Sequence, residues 1–291
     1  LAQTMTMEQG KPLRAATTEV QYAADFLLWF AEEAKRSYGE TIPSARADQR
    51  FIVSHYPVGV VAAITPWNYP VSMITRKVGP ALAAGCTVVL KPAEATPLCA
   101  IKVFEILTEA GLPDGVINLV TTSNPAPVGE EFVSNPLVRK LTFTGSTAVG
   151  KMLAGKAAGN MKRVSCELGG HAPFLVFDDA DPVHAAKGVQ LVKFLNTGQA
   201  CISPNRIFVH QSKVDAFVDT LQSRVANMKA GSGMEDGVTI GPLVDERAVA
   251  KVSAQVDDAV AKGAEVVCGG NRLLSNGLEK GFFYAPTVLR G

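Results

Sequence analysis

Apolar positions along the chain follow two patterns that alternate. Between residues 13 and 38, Val20, Ala23, Ala24, Leu27, Phe30, Ala31 and Ala34 recur at three- and four-residue spacing. That stripe predicts an amphipathic helix, with Gly39 as its stop. Short apolar runs then replace it: VGVVAAIT (58–65), TVVL (87–90), VINLV (116–120), RKLTFTG (139–145), KRVSCEL (162–168) and PFLVF (173–177). Helical segments are expected between them, over 71–84 closed by Gly85, over 97–110 closed by Gly111, and over 146–158. Asp181 opens a further helix with Pro182 at its first position. Strands alternating with helices of ten or more residues predict an α/β fold with a parallel sheet covered on both faces. One stretch breaks the alternation. GETIPSARADQRFIVSHYP (39–57) is polar, holds two prolines and has a short β-branched run, so it reads as a ribbon or hairpin outside the core.

Composition narrows the function classes. Of 291 residues, 47% are hydrophobic, enough for a sizeable core. The net charge of +1, with both signs interspersed, gives no argument for nucleic acid or an anionic membrane as partner. No apolar run approaches the roughly eighteen residues of a membrane span. Cys86, Cys99, Cys166, Cys201 and Cys268 are odd in number, widely spaced and free of any CxxC pair, and the four histidines are scattered. Neither a metal site nor a disulfide framework is expected, and a reduced cytoplasm is the default. The chain opens in a helical pattern without an initiator methionine and stops in an apolar run. It reads as a piece of a longer protein, expected to be poorly soluble or inactive when expressed alone.

Three motifs suggest chemistry. GSTAVGK, after the strand 139–144, has the P-loop spacing Gly145, four residues, Gly150, Lys151. A P-loop needs a hydroxyl after the lysine to hold magnesium, and Met152 cannot supply one. A nucleotide hydrolase, a plain strand–turn–helix junction and a metal-free dinucleotide site at a helix start all stay open here. KPAE ends a strand with Lys91 and sets Glu94 at the next helix, where ribose hydroxyls and phosphates bind in open α/β sheets. Alone, the pair is more readily a helix-start acid beside a solvated lysine. KFLNTGQACISPNR carries Cys201, and a lone cysteine is more often inert than reactive.

Taken in order, PWNYP (66–70), KPAE (91–94), FTGS (143–146), ELGG (167–170) and GQAC (198–201) resemble the aldehyde dehydrogenase family, its succinate semialdehyde branch in particular. The resemblance covers nearly the whole chain. It implies a Rossmann-like cofactor domain over 1–38 and 58–169, an oligomerisation ribbon over 39–57 and an α/β catalytic domain over 170–291. It implies Cys201 as nucleophile, Asn68 as oxyanion donor and Glu167 as the base for water. NAD, with NADP possible, would be held by Pro66, Trp67, Lys91, Glu94, Gly145, Ser146, Gly150 and Leu168, with Glu94 disfavouring a 2′-phosphate. Arg76, eight residues after Asn68, would share a helix face with it and take the carboxylate of a semialdehyde. A second arginine common in that branch is Leu195 here, so a longer or sulfonated anionic aldehyde also fits. The branch can carry a second cysteine two residues after the nucleophile; Ser203 there excludes a local disulfide switch. A small-molecule aldehyde and like subunits, as a homodimer or homotetramer, are the implied partners. A non-catalytic member of the fold is the remaining alternative.

Overall fold

The structure is a computed structural model describing residues 1–291. The chain divides into two compact units, Leu1 with Thr18–Leu168, and Ala2–Thr17 with Gly169–Gly291. Helix α1 (Ala2–Gln9) belongs to the second unit. Helix α2 (Leu13–Ala34) supplies its first turn to the second unit and the rest to the first. The expectation that residues 1–38 join the cofactor domain is thus corrected over 2–17. The reason is close packing: a β-carbon on Gly233 would strike Thr6 and the Lys11 carbonyl, and one on Gly10 would strike Pro242. The Leu13 amide also donates to the Gly233 carbonyl at 2.9 Å.

The first unit is the expected parallel α/β layer. After a ribbon of β1 (Glu40–Ile42) and β2 (Phe51–Val53), paired antiparallel, come β3 (Val60–Ile64), α3 (Ser72–Ala83), β4 (Thr87–Lys91), α4 (Pro97–Glu109), β5 (Ile117–Leu119), α5 (Pro125–Ser134), β6 (Val138–Thr144), α6 (Thr147–Ala158) and β7 (Arg163–Glu167). Strands β3 to β7 form one sheet in the order β5-β4-β3-β6-β7, every pair parallel. Central strands covered on both faces read as unbroken apolar runs, which is why β3 and β4 stood out in the sequence. Ala62, Leu141, Phe143, Leu153 and Phe132 pack into one core between the sheet and the helices α5 and α6. The ribbon is fully exposed along both strands, with Ile52 at 77%.

In the second unit, β8 (Phe174–Val176) and β9 (Ile207–Val209) pair in parallel around α7 (Pro182–Lys193) and α8 (Val214–Ala226). Val176, Ala186, Val189, Phe217 and Leu221 form their common core. The short strands β10 (Lys229–Ala230) and β11 (Val238–Ile240) pair next, then α9 (Glu246–Ala261), β12 (Glu265–Cys268) and β13 (Val288–Arg290). No helix of the chain is long and apolar enough to cross a membrane.

Candidate active site

Parallel pairing sends every strand of the five-stranded sheet to the same carboxyl edge. Pro66, Trp67 and Asn68 follow β3 there; Lys91 ends β4, with Glu94 just beyond; Gly145 and Ser146 follow β6; Glu167 ends β7, with Leu168 next. The chain builds β3, β4 and β5 outward in one direction, then returns to the other flank of β3 for β6 and β7. The reversal between β3 and β6 is a topological switch point, where open α/β sheets bind ligands. Backbone bonds knit this edge: Thr65 N donates to Lys91 O and Gly145 N to Glu167 O, each at 3.2 Å.

Lys91 is 4% exposed, and its ammonium donates to Pro92 O at 2.8 Å and pairs with the Glu94 carboxylate. The half-exposed Glu94 therefore carries a partly compensated charge. At β6 the P-loop reading fails on geometry. Helix α6 starts at Thr147, so Thr147–Gly150 are already helical and only Ser146 is left to turn, too little to wrap a phosphate. What remains is a helix N-terminus capped by Ser146, which accepts from Val149 N, and such an end binds anions without a metal. Gly150 serves packing, since a β-carbon there would collide with Leu168, so its absence lets the end of β7 close on α6. These features fit a dinucleotide: a helix start beside a switch point, and a lysine–carboxylate pair on the adjacent strand.

Asn68 stands in a turn and not on a helix. Proline at position 70 disfavours helical backbone in the residue before it, and α3 begins only at Ser72. The expectation that Asn68 and Arg76 share a helix face is corrected accordingly. The turn is anchored by a residue that sequence spacing could not reveal. The buried Glu19 on α2 accepts from Val71 N at 3.0 Å and Ser72 N at 3.1 Å, capping α3 with a carboxylate from 52 residues away. Negative charge at a helix N-terminus is favourable, which explains how an acid is kept there. Arg76, exposed on α3, lies 5.3 Å from the centroid of the Phe26 ring and 4.0 Å from Met73 Sδ. Its neighbour Lys77 turns inward and donates to Thr142 Oγ1 at 3.0 Å. Burial, then the adjacent Arg76 charge, bring Lys77 down to about 8 against the opposing pull of Glu167.

Cys201 lies in the second unit, half-buried on the loop that joins α7 to β9. That loop is strained. Asn196 at φ 48° and Thr197 at φ 60° are both left-handed, followed by Gly198 at φ 79°. Each non-glycine residue held so costs about 1–2 kcal/mol and persists only where its surroundings over-determine it. The rest of the NTGQ motif supplies that hold. Thr197 Oγ1 donates to Gly241 O at 3.3 Å and accepts from Gly241 N at 3.0 Å. Gln199 accepts from Val244 N at 3.0 Å and donates to Pro242 O and Asn196 O at 3.3 Å. Of the other cysteines, Cys86 and Cys99 are buried, Cys166 is exposed, and burial pushes the Cys268 thiol up. No group of three or more His, Cys, Asp or Glu is placed to hold a metal.

The family model described as "Aldehyde dehydrogenase family" matches residues 1–291. The chain is 55% identical over 289 residues to the succinate-semialdehyde dehydrogenase (NADP(+)) GabD of Escherichia coli (strain K12), covering 99% of this chain and 59% of that protein. A glutarate-semialdehyde dehydrogenase of Pseudomonas aeruginosa is 55% identical with the same coverage. The crystal structure of an E. coli NADP-dependent enzyme superposes with a TM-score of 0.95 at 55% identity, over 99% of this chain and 59% of that one. The chain thus spans about 59% of the length of the relatives it matches.

Proposed function

This chain belongs to the aldehyde dehydrogenase family, and from that premise we propose that its complete protein oxidises an anionic aldehyde, an acid semialdehyde, to the carboxylic acid with NAD or NADP. The observation that carries the reading is the convergence of the PWN, KPAE, FTGS and EL segments on one sheet edge at its switch point, in a chain whose GQAC cysteine stands on a strained, pinned loop.

The Cys201 thiolate adds to the aldehyde carbon, forming a carbon–sulfur bond and leaving negative charge on the former carbonyl oxygen. The Asn68 amide donates to that oxygen; one such donor is typically worth about 3–4 kcal/mol. A dinucleotide held at the sheet edge would supply the acceptor for the hydride lost from the thiohemiacetal carbon. Glu167 takes a proton from water, and the hydroxide so generated attacks the thioester, releasing acid and thiol. Lys91, Glu94 and the N-terminus of α6 would hold the ribose and phosphates. Because Lys91 already offsets Glu94, the carboxylate discriminates weakly against a 2′-phosphate, and both cofactors are admitted. Arg76 would take the substrate's distal anion by a bidentate pair. With Leu195 where the branch has a second arginine, the clamp is single and tolerates more than one chain length. The exposed β1–β2 ribbon, carrying Phe51, Ile52 and Val53, would pair subunits.

The test is cofactor reduction by the complete protein with acid semialdehydes and with neutral aldehydes of equal length, in parent and Arg76→Ala. The acids are expected to be preferred in the parent, and Arg76→Ala to lower kcat/KM for them by about thirtyfold, as for one lost charge-assisted bond. Preference for neutral aldehydes, or an unchanged kcat/KM for the acids in Arg76→Ala, removes the anion site.

A further inference from the structure

Pins to the segment 241–244 secure one side of the Cys201 loop. Its base is secured by a different device. Lys193 is the last residue of α7, and its side chain folds under the loop that follows. The ammonium donates to Ser203 Oγ at 3.1 Å and to Asn205 Oδ1 at 2.5 Å. Ser203, 1% exposed, donates back to the Lys193 carbonyl at 3.2 Å. Main chain and side chain of one residue thus hold both functions of one hydroxyl, two residues beyond Cys201. Asn205 extends the contact to His171 Nδ1 at 3.0 Å. Gly198 stands at φ 79°, where any side chain would be strained, and a β-carbon would press on the Lys193 carbonyl at 3.3 Å. The loop is therefore a closed ring of chain, 193 to 203, with three left-handed residues inside and a single ammonium across its mouth.

We propose that Lys193 is a positioning residue for the nucleophile: by closing the base of the loop on Ser203 and Asn205 it holds the strained backbone that presents Cys201. An ammonium suits the task because it offers three donors from one point, enough for two side-chain acceptors at once. Burial holds the Lys193 amine below its ordinary range, as expected for a cation kept under a loop for its hydrogen bonds. When the clamp is removed, Asn196 and Thr197 can relax out of the left-handed region, and Cys201 moves with them.

The inference rests on Cys201 being the nucleophile, and the experiment separates the two claims. In the complete protein, the alkylation rate of Cys201 by iodoacetamide is measured by mass spectrometry, with exposed Cys166 as internal reference and buried Cys86 and Cys99 as reporters of unfolding. Lys193→Met keeps the apolar stem and is expected to slow Cys201 alkylation about tenfold, lowering kcat with little change in KM, while Cys166 reacts as before. Lys193→Arg, which keeps the charge and donors, is expected to recover most of the rate. A loss of general stability would instead speed alkylation of Cys86 and Cys99. Should Lys193→Met fail to fold, Ser203→Ala carries the test, with an expected fall of about threefold. A Cys201 rate within about twofold of the parent in the folded variant overturns the proposal. Aldehyde oxidation surviving in Cys201→Ala overturns the nucleophile reading instead, whatever Lys193 does.

Discussion

The sheet edge of the first unit and the cysteine loop of the second place reactive groups by opposite means. At the edge, Lys91 and Glu167 are the last residues of regular strands, and Gly145 is tied to Glu167 by a backbone bond. Position there follows from parallel pairing and tolerates side-chain variation. The loop has no ladder. Asn196 and Thr197 sit in costly backbone, and side chains from 193, 197, 199 and 203 hold them. Regular structure delivers general placement; strain held by many side-chain bonds delivers one fixed point, which suits the nucleophile proposed at Cys201.

The contrast can be broken most directly at its chemical end. Cys201→Ala is expected to lower aldehyde oxidation by about 10⁴-fold or more, with Cys166→Ala and Cys268→Ala near parent; steady-state cofactor reduction decides it. The next effect belongs to the edge. In the folded chain Lys77 loses its proton near pH 8, whereas the unfolded chain keeps it to about 10.5, its ordinary value. Between these the unfolded state binds the extra proton, so stability rises with pH, by up to about 3 kcal/mol across the window. Denaturant titrations of parent and Lys77→Met at about pH 7 and about pH 10 should show the rise in the parent alone. Gln199→Ala sharpens the loop side. Losing bonds to Val244, Pro242 and Asn196 is expected to cost about 2 kcal/mol of stability and to lower kcat more than cofactor KM. An equal fall in cofactor affinity would show that the loop's pins serve more than the cysteine. The smallest effect is expected at Glu94. Glu94→Gln should raise kcat/KM with NADP relative to NAD by only about three- to tenfold, because Lys91 already offsets the carboxylate.

Legibility in the sequence followed the same divide. Strands β3, β4, β6 and β7 announced themselves as apolar runs, and their shared edge gathers the motif residues without any tertiary knowledge. The ribbon was legible from its polarity and its β-branched run. The helix expected over 71–84 lies within a residue of α3, Ser72–Ala83; what the sequence hid was that Asn68 stays outside it, because Pro70 and the Glu19 cap set where the helix begins. Cys201 was singled out by its motif, but the reason for NTGQ was hidden, since Thr197 and Gln199 bond to Gly241 and Val244, more than 40 residues away. Lys193 gave no signal in the sequence; only its bonds to Ser203 and Asn205 beneath the loop show what it holds. Beyond residue 206 the strands are two to four residues long, too short for any period to register.

The pairing of β3 with β6 has a consequence in time. Val60 lies opposite Val138, 78 positions further along the chain. A ribosome adding about 5–20 residues per second leaves β3 exposed on that flank for about 4–16 s before its neighbour emerges. Strands β4 and β5 arrive earlier, so a nascent three-stranded sheet must wait with its β3 edge open. This unit's greatest exposure to misassembly therefore falls during synthesis, and a translational pause placed between β5 and β6 would lengthen it.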